Sequence, residues 1–171
     1  MSNFEITTLT PDRWQLYKSV RLQALKDAPD SYGSTFEQEA VLSYTEWKSR
    51  LDLEMRDITA LPLVATKNGE PVGLAWGLVD AQASSIAHVY QMWVSPTVRG
   101  KGIGKLLLRE ITSWAVGRRC THMRLAVTTS NDAAVHLYRA YGFTTDGQPE
   151  ELRRGSALMV QPMRLNLTPG E

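Results

Sequence analysis

The chain has 171 residues, 43% hydrophobic and 22% charged, with 19 basic side chains against 18 acidic ones, which suits one domain (residues 1–171) with a full core. A net charge of +1 creates no global field, which excludes wholesale binding to nucleic acid, and no apolar run, Ala60–Ala65 included, is long enough to span a membrane. Cys120 is the only cysteine, so an intrachain disulfide and a Cys-rich zinc site are excluded and no metal site is expected.

Met1–Glu5 lacks the basic start and apolar stretch of a signal peptide, and the expected location is cytoplasmic. Phe4–Leu9 alternates apolar and polar residues and reads as a strand. Thr10-Pro11-Asp12 reads as a helix start, with Thr10 as N-cap, and Trp14, Tyr17, Leu22 and Leu25 form a helical stripe that ends before Pro29. Pro29–Gly33 is a loop. A second helical stretch is predicted from Glu37 to Glu54, with Leu42, Trp47 and Leu51 at helical spacing and Ser43 as a cap. Its acidic residues, Glu37, Glu39, Glu46, Asp52 and Glu54, read as a solvated face or as an attractor for a cationic amine.

Leu61–Thr66 and Val72–Val79 are strands joined by an Asn68-Gly69 hairpin turn, and Ile86–Val94 is a longer strand closed by Ser95-Pro96. Arg99–Gly104 is a glycine-rich turn opening a helix with Ile103, Leu107, Ile111 and Trp114 on its apolar face and Gly117 as its stop. Met123–Val127 is a strand, Asn131–Tyr141 a helix, and Ala157–Leu165 a last strand. The strand–helix–strand unit over 86–127 needs a parallel crossover, whereas the hairpin needs antiparallel pairs. A mixed sheet with helices on both faces is therefore expected.

The glycine turn places Gly100, Gly102 and Gly104 between a strand and the first turn of a helix, with Arg99, Lys101 and Lys105 around them. Unpaired helical N–H groups, the helix dipole and close backbone approach make this an anion site. A Walker-type loop fails because Leu106 follows Gly104-Lys105 and position 99 is arginine. The dinucleotide fingerprint fails because its last glycine falls on Lys105 or Leu107.

What fits is Arg99-x-x-Gly102-x-Gly104 preceded by Met92-Trp93-Val94-Ser95-Pro96. It resembles the pyrophosphate-binding signature of the GNAT superfamily of N-acetyltransferases. Asn131-Asp-Ala-Ala-Val-His-Leu-Tyr138-Arg-Ala-Tyr141-Gly142-Phe143, beginning 27 positions after Gly104, resembles a second family segment. Arg21-Leu-x-Ala-Leu25 with Ser31-Tyr-Gly-Ser-Thr35 is a weaker match common in bacterial members.

The resemblance implies the GNAT fold: an α/β domain with a central mixed, mostly antiparallel sheet splayed between its fourth and fifth strands. It implies direct transfer of an acetyl group from acetyl-CoA to an amine, in a small molecule or a peptide. Backbone groups of 99–104, that is Arg99, Gly100, Lys101, Gly102, Ile103 and Gly104, with Lys105 beside them, would hold the pyrophosphate. Met92, Trp93 and Val94 would line the pantetheine arm, and Asn131 would contact it from the other wall. Tyr138 stands where the family often places a general acid, though its spacing also permits a purely core role. Histone-type members place a glutamate eleven positions before the motif arginine; here that position is His88, a plausible base. Strand periodicity puts His88, Tyr90 and Met92 on one face until a bulge intervenes, and Tyr90 and Gln91 offer a water-mediated relay.

His122 and His136 read as surface or structural residues, Cys120 as a semi-buried structural thiol, and Arg118, Arg119 and Arg124 as a solvated face. A homodimer is possible by family analogy, with Leu158 and Met163 as exposed apolar residues on the last strand. A non-catalytic acyl-CoA-binding or sensor module is the alternative function. The acceptor region, 26–56 with loops near 128 and 145–157, carries no readable signature.

Overall fold

The computed structural model describes residues 4–168. β1 (Phe4–Thr8) leads into a 3-10 turn at Pro11–Arg13 and then α1 (Trp14–Asp27). Proline at the second step thus starts a 3-10 turn rather than the long helix, and Thr10 makes no side-chain cap. A second 3-10 turn, Pro29–Ser31, precedes three short helices, α2 (Phe36–Ala40), α3 (Tyr44–Arg50) and α4 (Leu53–Arg56). The single helix expected over 37–54 is corrected here. Thr35 with Gln38 and Ser43 with Glu46 form reciprocal capping boxes, and the Asp52 side chain caps Met55, so the chain restarts its helix at each cap.

β2 (Ala60–Lys67), β3 (Glu70–Val79) and β4 (Ile86–Val94) form an antiparallel meander. α5 (Ile103–Gly117) returns the chain to β5 (His122–Thr128), which lies parallel to β4. α6 (Asp132–Tyr141) and two short strands, β6 (Thr144–Thr145) and β7 (Glu150–Glu151), precede β8 (Met159–Asn166). The sheet order is β1-β2-β3-β4-β5-β8-β6, with β7 also paired to β8. β4–β5 is the one parallel pair among the described residues. No helix among them is long and apolar enough to cross a membrane.

The expected mixed sheet with helices on both faces is what forms, because β2, β3 and β4 send alternate side chains to two cores. Leu63, Ala65, Ala87 and Val89 pack with Leu107, Leu108 and Ile111 of α5. Val64, Leu74, Trp76 and Trp93 pack with Tyr17, Val20 and Leu25 of α1 and Trp47 of α3. Tyr17 and Trp47 are fully buried and meet edge to face at 5.4 Å, a contact worth about 1 kcal/mol beyond the area it hides. Met163 is also buried and Leu158 half-buried, so neither is the exposed apolar residue expected of a dimer face.

Candidate active site

The site begins with a break in the sheet. β4 pairs with β5 only at Ile86–His122, Ala87–Met123 and His88–Arg124. A bulge follows: Tyr90 faces Trp76, Trp93 faces Leu74, and Gln91 between them adopts a left-handed φ of 55°. The bulge turns β4 away while β5 continues straight along β8 to Thr128. Beyond His88, β4 has a strand partner on one edge only, and a wedge opens on the other. The extra residue also changes which side chain faces where. Met92 packs in the α5 core and Trp93 in the α1 core, so Met92 does not share a face with His88 and Tyr90.

At the end of β4 the glycine turn leads into α5. Gly100 and Gly102 have φ of +80° and +82°, and a Cβ on either would meet nothing within 4 Å. Glycine is needed there for backbone conformation, not for room. Gly104 differs: a Cβ on it would stand 2.9 Å from Leu137 Cδ2, so its bare Cα lets α5 and α6 approach closely. Gly102 offers no side-chain cap, which leaves the first N–H groups of α5, starting at Ile103, without a capping partner. Lys101 and Lys105 are exposed beside them. Arg99 does something else. Its guanidinium donates to the Val94 carbonyl (3.0 Å) and to Asp27 Oδ2 (2.8 Å), the oxygen that also accepts from Trp93 Nε1 (3.0 Å). Asp27 therefore braces the turn and the strand end together.

The opposite wall of the wedge is held by the loop after α1. Asn131 caps α6 by accepting from the Ala134 N–H (3.2 Å) and donates to Ser31 Oγ (3.2 Å). Thr128 donates to the Asp30 carbonyl (2.7 Å). Arg153 donates to the carbonyls of Pro29, Tyr32 and Gly33 at 2.7–2.9 Å. Pinned in this way, Tyr32 donates its hydroxyl to the Met92 carbonyl (2.8 Å). Tyr138 is buried on α6, edge-on to Phe143 at 5.9 Å. Burial pushes both phenols up from their ordinary value, and a charge on Tyr138 would raise Tyr32 further. Both hold their protons at neutral pH.

On the other side of the bulge lies a cavity of about 280 Å³ lined by Tyr17, Arg21, Ser34, Glu39, Arg50, Arg56, Ile58, Trp76, Leu78, Tyr90 and Gln91. Tyr17 donates to Gln91 Oε1 (2.9 Å) and so fixes the bulge side chain. Glu39 is buried between two guanidinium groups: Arg21 donates to both of its oxygens (3.1 and 2.9 Å) and Arg50 to one (2.7 Å). Burial opposes the charge on Glu39, but the hydrogen bonds and charges of Arg21 and Arg50 outweigh it and hold the carboxyl below its ordinary value. His88 is half-buried, 2.9 Å from Asp80 Oδ2 and stacked on Tyr90 at 5.6 Å. Its hydrogen bond lowers the Asp80 carboxyl. Tyr90, not His88, is among the residues of the cavity wall.

Met92, Val94, the glycine turn, Asn131 and Tyr138 lie on the elements that border the wedge, the Trp93 side chain turns instead into the α1 core, and His88 stands one side chain behind the cavity. Arg21, Arg50, Tyr32, Asp27 and Arg153 carry no site role in the sequence reading, and Glu39, read there as a solvated face or an attractor for a cationic amine, is instead buried between two arginines. Cys120 is buried and its thiol pushed up by that burial, in keeping with a structural role. His136 is exposed and His122 half-buried beside Thr121.

The sequence model of the Acetyltransferase (GNAT) family matches residues 22–143. Streptothricin acetyltransferase of Streptomyces lavendulae is 42% identical over 64 residues, 37% of this chain and 34% of that protein. L-2,4-diaminobutyric acid acetyltransferase of Nocardia farcinica is 27% identical over 108 residues, 63% of this chain and 51% of that protein. The chain thus spans about a third to a half of the length of these two relatives. A GNAT-family acetyltransferase from Streptococcus pneumoniae has the same fold, with a TM-score of 0.80 at 23% identity over 97% of this chain and 100% of that one.

Proposed function

The chain belongs to the GNAT acetyltransferase family, and we propose that it moves an acetyl group from acetyl-CoA to the primary amine of a small molecule, by direct attack in a ternary complex. The observation that carries this reading is the bulged end of β4, which has an uncapped helix N-terminus beside it on one side and a polar cavity on the other. The residues fit the cosubstrate. Left-handed Gly100 and Gly102 aim a bare turn outward, and α5 offers unpaired N–H groups to a pyrophosphate, with Lys101 and Lys105 adding charge. The open edge of β4 from Met92 to Val94 faces the wedge in which a pantetheine arm would lie, with Asn131 on the far wall. When bound, acetyl-CoA supplies an activated thioester carbonyl.

The chain's own groups do the rest. Tyr138 holds a proton beside the wedge and delivers it to the leaving sulfur as general acid. An alkyl ammonium titrates near 10.4, so only about one molecule in a few thousand is nucleophilic at neutral pH. A proton acceptor near the cavity therefore raises the rate. His88, oriented by Asp80 and reached past Tyr90, fills that role in this proposal. The relatives named for streptothricin and for a diamino acid support a small molecule over a protein side chain as acceptor. The cytoplasm, where acetyl-CoA is consumed, is the proposed setting.

Thiol release from acetyl-CoA against an amine panel tests the reading. Tyr138→Phe should lower kcat about a hundredfold while the acetyl-CoA KM moves less than about threefold. His88→Asn should change the shape of the kcat/KM pH profile. Acetyl-CoA binding without turnover on any amine would instead mark an acyl-CoA sensor, and an unchanged kcat would remove Tyr138 from the acid role.

A further inference from the structure

The cavity behind β4 has a charge balance of its own. Three guanidinium groups, Arg21, Arg50 and Arg56, stand in its wall against one carboxylate, Glu39. Both oxygens of Glu39 are already occupied by Arg21 and Arg50, which leaves it little capacity for a substrate ammonium. The other acidic residues of this region are outside the wall, and two of them, Glu46 and Asp52, are spent as helix caps. The wall therefore carries an excess of two positive charges.

Unpartnered donors point the same way. Among the described residues, the buried side-chain nitrogens without an acceptor are Arg21 Nη1, Trp47 Nε1 and Trp76 Nε1. Arg21 and Trp76 are themselves only 5% exposed and belong to the wall; Trp47 lies directly behind it, stacked on Arg50 at 4.8 Å and edge-on to Tyr17. A buried N–H without a partner costs about 1–3 kcal/mol, and two of the three are carried by residues of the wall, Arg21 and Trp76. The only other anion here, Glu39, is held ionised and is already shared between two cations.

We infer that the amine acceptor also carries a carboxylate, and that this carboxylate docks in the cavity against the arginine cluster while its amine faces Tyr90 and Gln91 at the bulge. This rests on the proposed amine acetylation and adds to it the chemical class of the acceptor: an amino acid or a close derivative, not a polycation. A polyamine would bring like charge to a positive wall, whereas a carboxylate finds charge-assisted donors there.

The test uses sets that share one primary amine and differ in a single group. Leucine, leucinamide and isoamylamine form one set; lysine, lysinamide and cadaverine form another; the remaining amino acids with their amides complete the panel. In the sets that turn over, kcat/KM should fall at least about tenfold from acid to amide, the scale of one charge-assisted hydrogen bond, and further for the decarboxylated amine. Arg56 is exposed, so Arg56→Gln spares the fold. It should raise KM for the acid at least about threefold and leave that for the decarboxylated amine unchanged. Decarboxylated amines that react as well as their parent acids, or an Arg56→Gln effect equal on both, would overturn the inference and leave amine acetylation standing. Absence of thiol release with every acid, amide and amine would overturn acetyl transfer to amines itself.

Discussion

The two sides of β4 are built by different means. On the wedge side the construction is mostly main-chain: left-handed glycines, the uncapped N–H groups of the first turn of α5, and a strand edge without a strand partner. On the cavity side it is side chains, with Arg21 and Arg50 bound to Glu39 and Tyr17 bound to Gln91. A main-chain site is indifferent to most side-chain changes and fails only where conformation itself is altered. A side-chain site can be remodelled residue by residue. A cosubstrate common to a family suits the first kind of construction, and an acceptor that differs between members suits the second.

Breaking one side should therefore leave the other intact. The largest effect is expected at Glu39. Replacing it in Glu39→Gln leaves Arg21 and Arg50 without a counter-charge in a buried setting and should cost about 3–5 kcal/mol in urea unfolding. Because the folded carboxyl lies below its ordinary value of about 4.3, its contribution is complete above that pH and is lost as pH falls through the folded value. Wild-type stability should drop below about pH 4 more steeply than that of Glu39→Gln, while the acetyl-CoA KM of the variant stays within about twofold. Next comes Gly102→Val, which forces a β-branched residue into a left-handed conformation costing about 1–2 kcal/mol. It should raise the acetyl-CoA KM at least about tenfold with the acceptor KM unmoved; a shift in the acceptor KM alone would contradict the division of labour. The smallest effect is at Asp27, whose Asp27→Asn change weakens the bonds to Trp93 and Arg99. A loss of about 1 kcal/mol and an acetyl-CoA KM higher by about threefold are expected.

How much of this was readable in advance follows from the same division. The glycine turn is contiguous, so its spacing alone excluded two nucleotide motifs and left one fit. Ile86–Val94 came out of the sequence at full length because alternation and Ser95-Pro96 mark it unambiguously. The cavity is dispersed. Arg21 and Glu39 are 18 residues apart and Arg50 a further 11, and no contiguous pattern announces that α1, α2 and α3 bring the three together. Strand periodicity puts His88, Tyr90 and Met92 on one face only until a bulge intervenes, and it does not say that Gln91, with its positive φ, is the residue at which Met92 leaves that face. The three short helices are written in local signals, Thr35-x-x-Gln38, Ser43-x-x-Glu46 and the Asp52 cap; Ser43 reads as a cap from sequence, but apolar spacing joins the three into one helix.

Arg153 stitches the loop that carries Tyr32, and it does so from 120 to 124 residues further along the chain. During synthesis on a ribosome, α1 and the loop after it emerge long before their clamp exists. The hydroxyl that meets Met92 therefore sits on a loop whose clamp is a distant part of the chain, so closure of this region is a long-range event in folding rather than a local one.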